Sequence, residues 1–244
     1  MLPGNKNIYL SLIIFFLYSC TTTPVNSKIR NPPTKSFVKI YHTADIISCV
    51  DQKDPKCPVG VYTSMGSGMA INLIKGVMTV ITAGHVCDVR PTDEIKNIVQ
   101  TIKVFDHKTK FHQAWPIMIT HNDENGNADL CLLWVPTLKV KKIKFSIFGP
   151  KVGEELYYVG APMGIYHPPT VPIFKGIFSG VIDDSSSMIT APAAGGSSGS
   201  AVLNYRNEIV GIVWGTNLGF SNVSLMSNHK TFKMFLLNAK RYYQ

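Results

Sequence analysis

Residues 191–202 read APAAGGSSGSAV. Glycines admit backbone angles that other residues resist. A serine held among them can expose its hydroxyl, and can aim its own N–H and that of a preceding glycine at one point. That is the arrangement of a nucleophile, Ser198, beside a site for an oxyanion. Alone, a Gly/Ser cluster reads as a surface loop. Residues 79–87, TVITAGHVC, add a histidine. An apolar run leads into Thr82-Ala83-Gly84, and small residues there let the His85 ring stand in a crowded site. Residues 127–135, NADLCLLWV, add a carboxylate. Asp129 opens a wholly apolar run, where it needs hydrogen-bond partners to stay charged; taken singly it reads better as a turn residue facing water. A serine hydroxyl is a weak nucleophile unless a base takes its proton, and the base needs a fixed tautomer and a nearby negative charge. Three distant stretches supply those three parts. The other histidines, His42, His107, His112, His121, His167 and His229, have no comparable setting and read as bland.

The elements that must position these groups are short. From Phe37 onward, apolar or alternating runs rich in Val, Ile, Thr and aromatics recur between turn residues. They are expected at 37–41, 60–64, 69–73, 77–82, 98–105, 115–120 and 130–135, then at 144–147, 155–159, 171–174, 180–182, 188–191, 201–204, 209–213 and 223–226. This spacing implies an all-β sandwich or barrel. A break near residues 136–144 divides the chain into halves of about six strands each, 37–140 and 141–244, with no repeat between them. At the end, Ser227 or Asn228 can cap a helix with Phe232, Phe235 and Leu236 on one side.

The chain has 244 residues and a formal net charge of +9 from 24 basic and 15 acidic residues. No like-charge run exceeds Lys141-Lys142, so no basic arm for nucleic acid is visible. Residues 1–20 read as an export signal: Lys6, an apolar stretch from Ile8 to Tyr18, then Ser19-Cys20. The apolar run is too short to span a bilayer comfortably. Leu17-Tyr18-Ser19-Cys20 resembles a bacterial lipobox, with Tyr18 departing from it. That implies lipidation at Cys20 and an exported, membrane-anchored chain, the alternatives being an ordinary cleaved signal or an uncleaved anchor. Residues 21–36 are polar and proline-bearing, as in a tether. The remaining cysteines, Cys49, Cys57, Cys87 and Cys131, allow three pairings in an exported protein. Cys49 and Cys57 flank a polar turn and could close a small loop. Cys87 and Cys131 each lie two residues beyond a candidate catalytic residue, either near one another or as buried thiols. Nothing suggests a metal or a cofactor.

Taken together, TAGH, the strand opening at Asp129, and GGSSGSAV resemble the signature blocks of the trypsin-like (chymotrypsin-fold) serine peptidases, and are most similar to bacterial types of the HtrA and glutamyl-endopeptidase sort. The order His85, Asp129, Ser198 is that of chymotrypsin. Further blocks agree: Gly66-Ser67-Gly68-Met69-Ala70-Ile71, Tyr158-Val159-Gly160-Ala161-Pro162-Met163-Gly164, Phe178-Ser179-Gly180-Val181-Ile182 and Gly211-Ile212-Val213-Trp214-Gly215. The resemblance covers roughly residues 60–238 and implies two six-stranded antiparallel β-barrels with a C-terminal helix. It implies His85 as base and acid, Asp129 as its orienter, Ser198 as nucleophile, and the N–H groups of Gly196 and Ser198 as the oxyanion hole. Val213, Trp214 and Gly215 would pair with the substrate backbone. The chain departs from trypsin in three places. Ser197 replaces the aspartate that binds a freed N-terminus, so activity would need no propeptide cleavage. Ser200-Ala201 replaces Gly-Pro. Pro192 stands where trypsin carries its specificity-setting acid, so a preference for Arg or Lys is not implied. No PDZ domain follows. The expected activity is serine endopeptidase on protein or peptide substrates; the alternatives are a peptide-binding module that does not cut, or an esterase-like or self-processing activity.

Overall fold

The computed structural model describes residues 31–51, 58–88, 95–122, 126–217 and 220–243. The export segment with Cys20, residues 21–30 of the tether, and Cys57 lie outside them. The described end of the tether makes one 3-10 turn at Thr34–Ser36, with Ser36 buried, and runs straight into the first strand.

In the first half, β1 (Phe37–Cys49), β2 (Gly60–Ile71), β3 (Thr79–Thr82), β4 (Ile95–Phe105), β5 (Phe111–Thr120) and β6 (Leu130–Trp134) close into a barrel in the order β1-β2-β3-β6-β5-β4. A single helical turn, α1 (Gly84–Cys87), follows β3. In the second half, β7 (Glu155–Val159), β8 (Ile173–Val181), β9 (Ser186–Ile189), β10 (Ala201–Leu203), β11 (Ile209–Asn217) and β12 (Phe220–Ser227) close in the order β10-β11-β12-β9-β8-β7. All pairings between these strands are antiparallel. The chain ends in α2 (His229–Tyr242). Two six-stranded barrels and a C-terminal helix are therefore present, as the resemblance implied.

Apolar content at each position accounts for the packing. β6 is buried along both faces as far as Leu133, because α1 and α2 pack on it. Phe37, Ile40, Met69, Ile71, Ile81, Leu130 and Leu132 form one cluster that continues into Phe232 and Leu236 of α2. Of the two candidate caps, Asn228 does the work: its side chain accepts from the Lys230 N–H. α2 buries Phe232, Phe235 and Leu236, each worth about 2 kcal/mol, and so ties the second barrel's end to the first barrel.

Some expected boundaries differ. The runs at 60–64 and 69–73 are one strand, β2, that passes through Gly66 and Gly68. Both glycines are demanded by packing: a Cβ on Gly66 would meet Val86 Cγ1 at 2.6 Å, and one on Gly68 would meet Ile40 Cδ1 at 2.8 Å. The runs at 171–174 and 180–182 likewise fall largely within β8. Residues 144–147 form no strand, only a bridge from Phe145 to Ile209.

Cys87 and Cys131 form a disulfide across 44 residues of chain, joining the end of α1 to β6. Cys49 is disulfide-bonded as well. A loop of that length removes chain entropy from the unfolded state. Replacing Cys87 and Cys131 together by alanine is expected to lower stability by about 3–4 kcal/mol, read as a lower urea midpoint with a steeper slope, since the unfolded chain without the cross-link exposes more surface.

Candidate active site

β3 delivers His85 through a turn that only small residues can make. A Cβ on Gly84 would lie 2.2 Å from the Thr120 carbonyl oxygen and 2.6 Å from Asp129 Oδ1. With none there, the His85 backbone N–H donates to Asp129 Oδ1 at 2.9 Å, and the ring Nδ1 lies 2.5 Å from Asp129 Oδ2. Asp129 is 5% exposed, whereas the His85 side chain is 47% exposed. The carboxylate is thus an anchored, buried acceptor and the ring faces outward. Since Nδ1–H is the donor to a carboxylate, Nε2 is the nitrogen left as acceptor. The Cys87–Cys131 disulfide and a hydrogen bond from Thr120 Oγ1 to the Ala128 carbonyl (2.6 Å) brace both sides of this pair.

Ser198 lies half-buried in the turn between β9 and β10. Its carbonyl accepts from the Ser67 N–H at 2.8 Å. Val86, next to His85, and the Ser198 carbonyl converge on the same spot beside Gly66, at 2.6 and 3.1 Å from where its Cβ would stand. The histidine helix and the serine turn therefore meet over β2.

The turn is held in a definite form. The Gly195 carbonyl accepts from the Met163 N–H at 2.6 Å. In a trans peptide the next N–H points the opposite way, so the Gly196 N–H is turned away from Met163. Gly196 has φ +90°, and a Cβ on it would meet the Ala161 carbonyl at 2.6 Å. Ser67 Oγ donates to the Gly196 carbonyl (2.8 Å) and accepts from the Ala161 N–H (2.9 Å). Among the described residues, neither the Gly196 nor the Ser198 N–H donates to a protein group. Ser197 is buried, and its Oγ accepts from the Ala194 N–H. Burial pushes the Tyr158 phenol up to about 12, against the pull of its hydrogen bond with Ser197; its hydroxyl donates to the Pro192 carbonyl. Pro192 itself is exposed.

Val213 does not fit the role expected of it. Its carbonyl accepts from the Gly199 N–H (2.7 Å) and its N–H donates to the Ser200 carbonyl (2.9 Å). Both groups hold the serine turn and neither is left for a substrate. β10 pairs with β11 only as far as Ile212, so Trp214 and Gly215 lie on a stretch of that edge with no strand beside it among the described residues.

Two of the histidines set aside as bland are placed by acids. His112 is buried, with Nε2 3.2 Å from Asp106 Oδ2 and Nδ1 2.9 Å from Thr137 Oγ1, at the β4–β5 turn. His121 lies beside Asp129 itself. Ser67 was also missed as a site residue; the sequence showed it only as part of a glycine-rich strand. Concavities of about 610 Å³ beside Lys35 and Lys141, and of about 650 Å³ beside Phe148 and Tyr205, include none of His85, Asp129 and Ser198.

With this geometry in hand, comparisons are informative. The family model of the trypsin-like peptidase domain matches residues 66–212. The fold is similar to that of the Rv3671c protease of M. tuberculosis in its active form, at 19% identity over 84% of this chain and 81% of that one, with a TM-score of 0.58. An inactive serine-to-alanine mutant of Rv3671c gives 16% identity over 91% and 95%, with a TM-score of 0.61. A serine endoprotease from Yersinia pestis gives 18% identity over 88% and 66%, with a TM-score of 0.60. At these identities the likeness is one of fold. No curated protein matches the chain.

Ser67→Ala leaves the buried Ala161 N–H and Gly196 carbonyl without their shared partner. The expected loss is about 1–3 kcal/mol of stability, measured by urea unfolding, with faster amide exchange in residues 194–199.

Proposed function

Because the chain belongs to the trypsin-like peptidase domain family, we propose that it is a serine endopeptidase acting through His85, Asp129 and Ser198. The observation that carries this reading is the His85–Asp129 pair, closed at 2.5 Å beside the turn that holds Ser198. His85 Nε2 takes the proton of Ser198 Oγ as that oxygen attacks the scissile carbonyl. Asp129 fixes the tautomer and stabilises the imidazolium that results. The oxyanion is received by the N–H groups of Gly196 and Ser198, each worth about 3 kcal/mol in the transition state. His85 then protonates the leaving amine, and water repeats the sequence on the acyl-enzyme.

A substrate strand would add to the edge of β11 at Trp214 and Gly215, with Val213 serving the serine turn instead. Pro192, with its carbonyl engaged by Tyr158, offers no charge to a basic side chain. Ser197 bonds within its own turn, which suits an enzyme that needs no released N-terminus. A module that binds peptides without cutting them would not require the buried pair. Export and lipidation at Cys20 remain part of this proposal. Cys20→Ala is expected to abolish incorporation of labelled palmitate into the chain; a wild-type chain that takes up no palmitate would remove the lipid from the account.

Ser198→Ala should reduce hydrolysis of an unfolded protein substrate by about 10⁴-fold or more with the unfolding midpoint unchanged. Hydrolysis by Ser198→Ala at the wild-type rate would place the nucleophile elsewhere.

A further inference from the structure

His121 follows β5 and stands on the far side of Asp129 from the His85 ring. Its Nδ1 is 3.6 Å from Asp129 Oδ1, and its Nε2 is 3.6 Å from Asp88 Oδ2. The side chain is only 18% exposed. Each ring nitrogen of His121 therefore faces one carboxylate. Asp88 is itself held, since Gln100 Nε2 donates to its Oδ1 at 3.0 Å. Among the described residues, the charged and titratable groups facing this ring are Asp88 after α1 and Asp129 before β6, with His85 beyond Asp129. On β1, His42 faces Asp88; burial pushes it down, opposed by Gln100 and Asp88. A chain of contacts therefore runs Gln100–Asp88–His121–Asp129–His85.

We propose that His121, standing between Asp88 and Asp129, is a positioning residue that holds the Asp129 carboxylate against His85. The inference rests on the reading of His85 as the base for Ser198. Asp129 has two oxygens to keep in place. Oδ2 faces the His85 ring, and Oδ1 is shared between the His85 N–H and His121. His121 adds a third contact to the two by which His85 holds the carboxylate.

The test is the rate of inactivation by a fluorophosphonate at neutral pH in wild type, His121→Phe and His121→Gln. His121→Phe is expected to slow inactivation about tenfold, and His121→Gln, which keeps a donor beside Asp129, to recover most of the rate. Thermal unfolding establishes which variants are folded, and if His121→Phe is not, His121→Leu takes its place. A wild-type rate in the folded apolar variant would overturn the proposal, as would a folded glutamine variant as slow as the apolar one. A wild-type chain that takes no label at Ser198 would instead overturn the assignment of the nucleophile on which the proposal rests.

Discussion

The hydrogen bonds of Ser67 are the constraint on which the rest depends. A nucleophile on one barrel and its base on another are useful only if held to a fraction of an ångström. Ser67 sits on β2 with no exposed surface. Its N–H goes to the Ser198 carbonyl, its carbonyl takes the Thr82 hydroxyl, and its own hydroxyl joins Ala161 to Gly196. One residue of the first barrel thus fixes the serine turn of the second and the strand that leads to His85. A polar group buried so deeply must be fully satisfied to be tolerated, and here each backbone and side-chain group of Ser67 has its partner. The close approach also excludes side chains nearby: a Cβ on Gly199 would fall 2.0 Å from the Ser67 carbonyl oxygen.

The second requirement is a buried carboxylate that stays in register with an outward-facing ring. Burying such a group is costly unless it is bonded. Asp129 is met by the backbone and the ring of the same residue, His85. That double contact is possible because Gly84 brings no side chain between them. The disulfide sits two residues from each partner, so it constrains the pair directly rather than the barrel at large.

The residues proposed to act on substrate could be picked out because their chemistry limits the types allowed around them. Small residues before His85, an acid at the head of an apolar run, and glycines flanking Ser198 each leave a local mark. The two halves of β structure were legible from alternation and turn residues. What was hidden is long-range. The expected runs stopped at 64 and resumed at 69, because a glycine required by a neighbour's bulk, as Gly66 and Gly68 are, is written the same way as one required by a turn. Val213 looked available to a substrate, because nothing in its own strand shows that Gly199 and Ser200 already bond it. His121 lacked the small-residue frame of His85, and its two acids are separated from it by 33 and 8 positions of chain, which no local pattern connects.

The most direct test of the account is a mass map of the native chain after reaction with diisopropyl fluorophosphate. One adduct is predicted, on the peptide that carries Ser198, absent when the chain is unfolded first and absent from His85→Ala. An adduct on another residue, or one formed as quickly without the His85 imidazole, would contradict it.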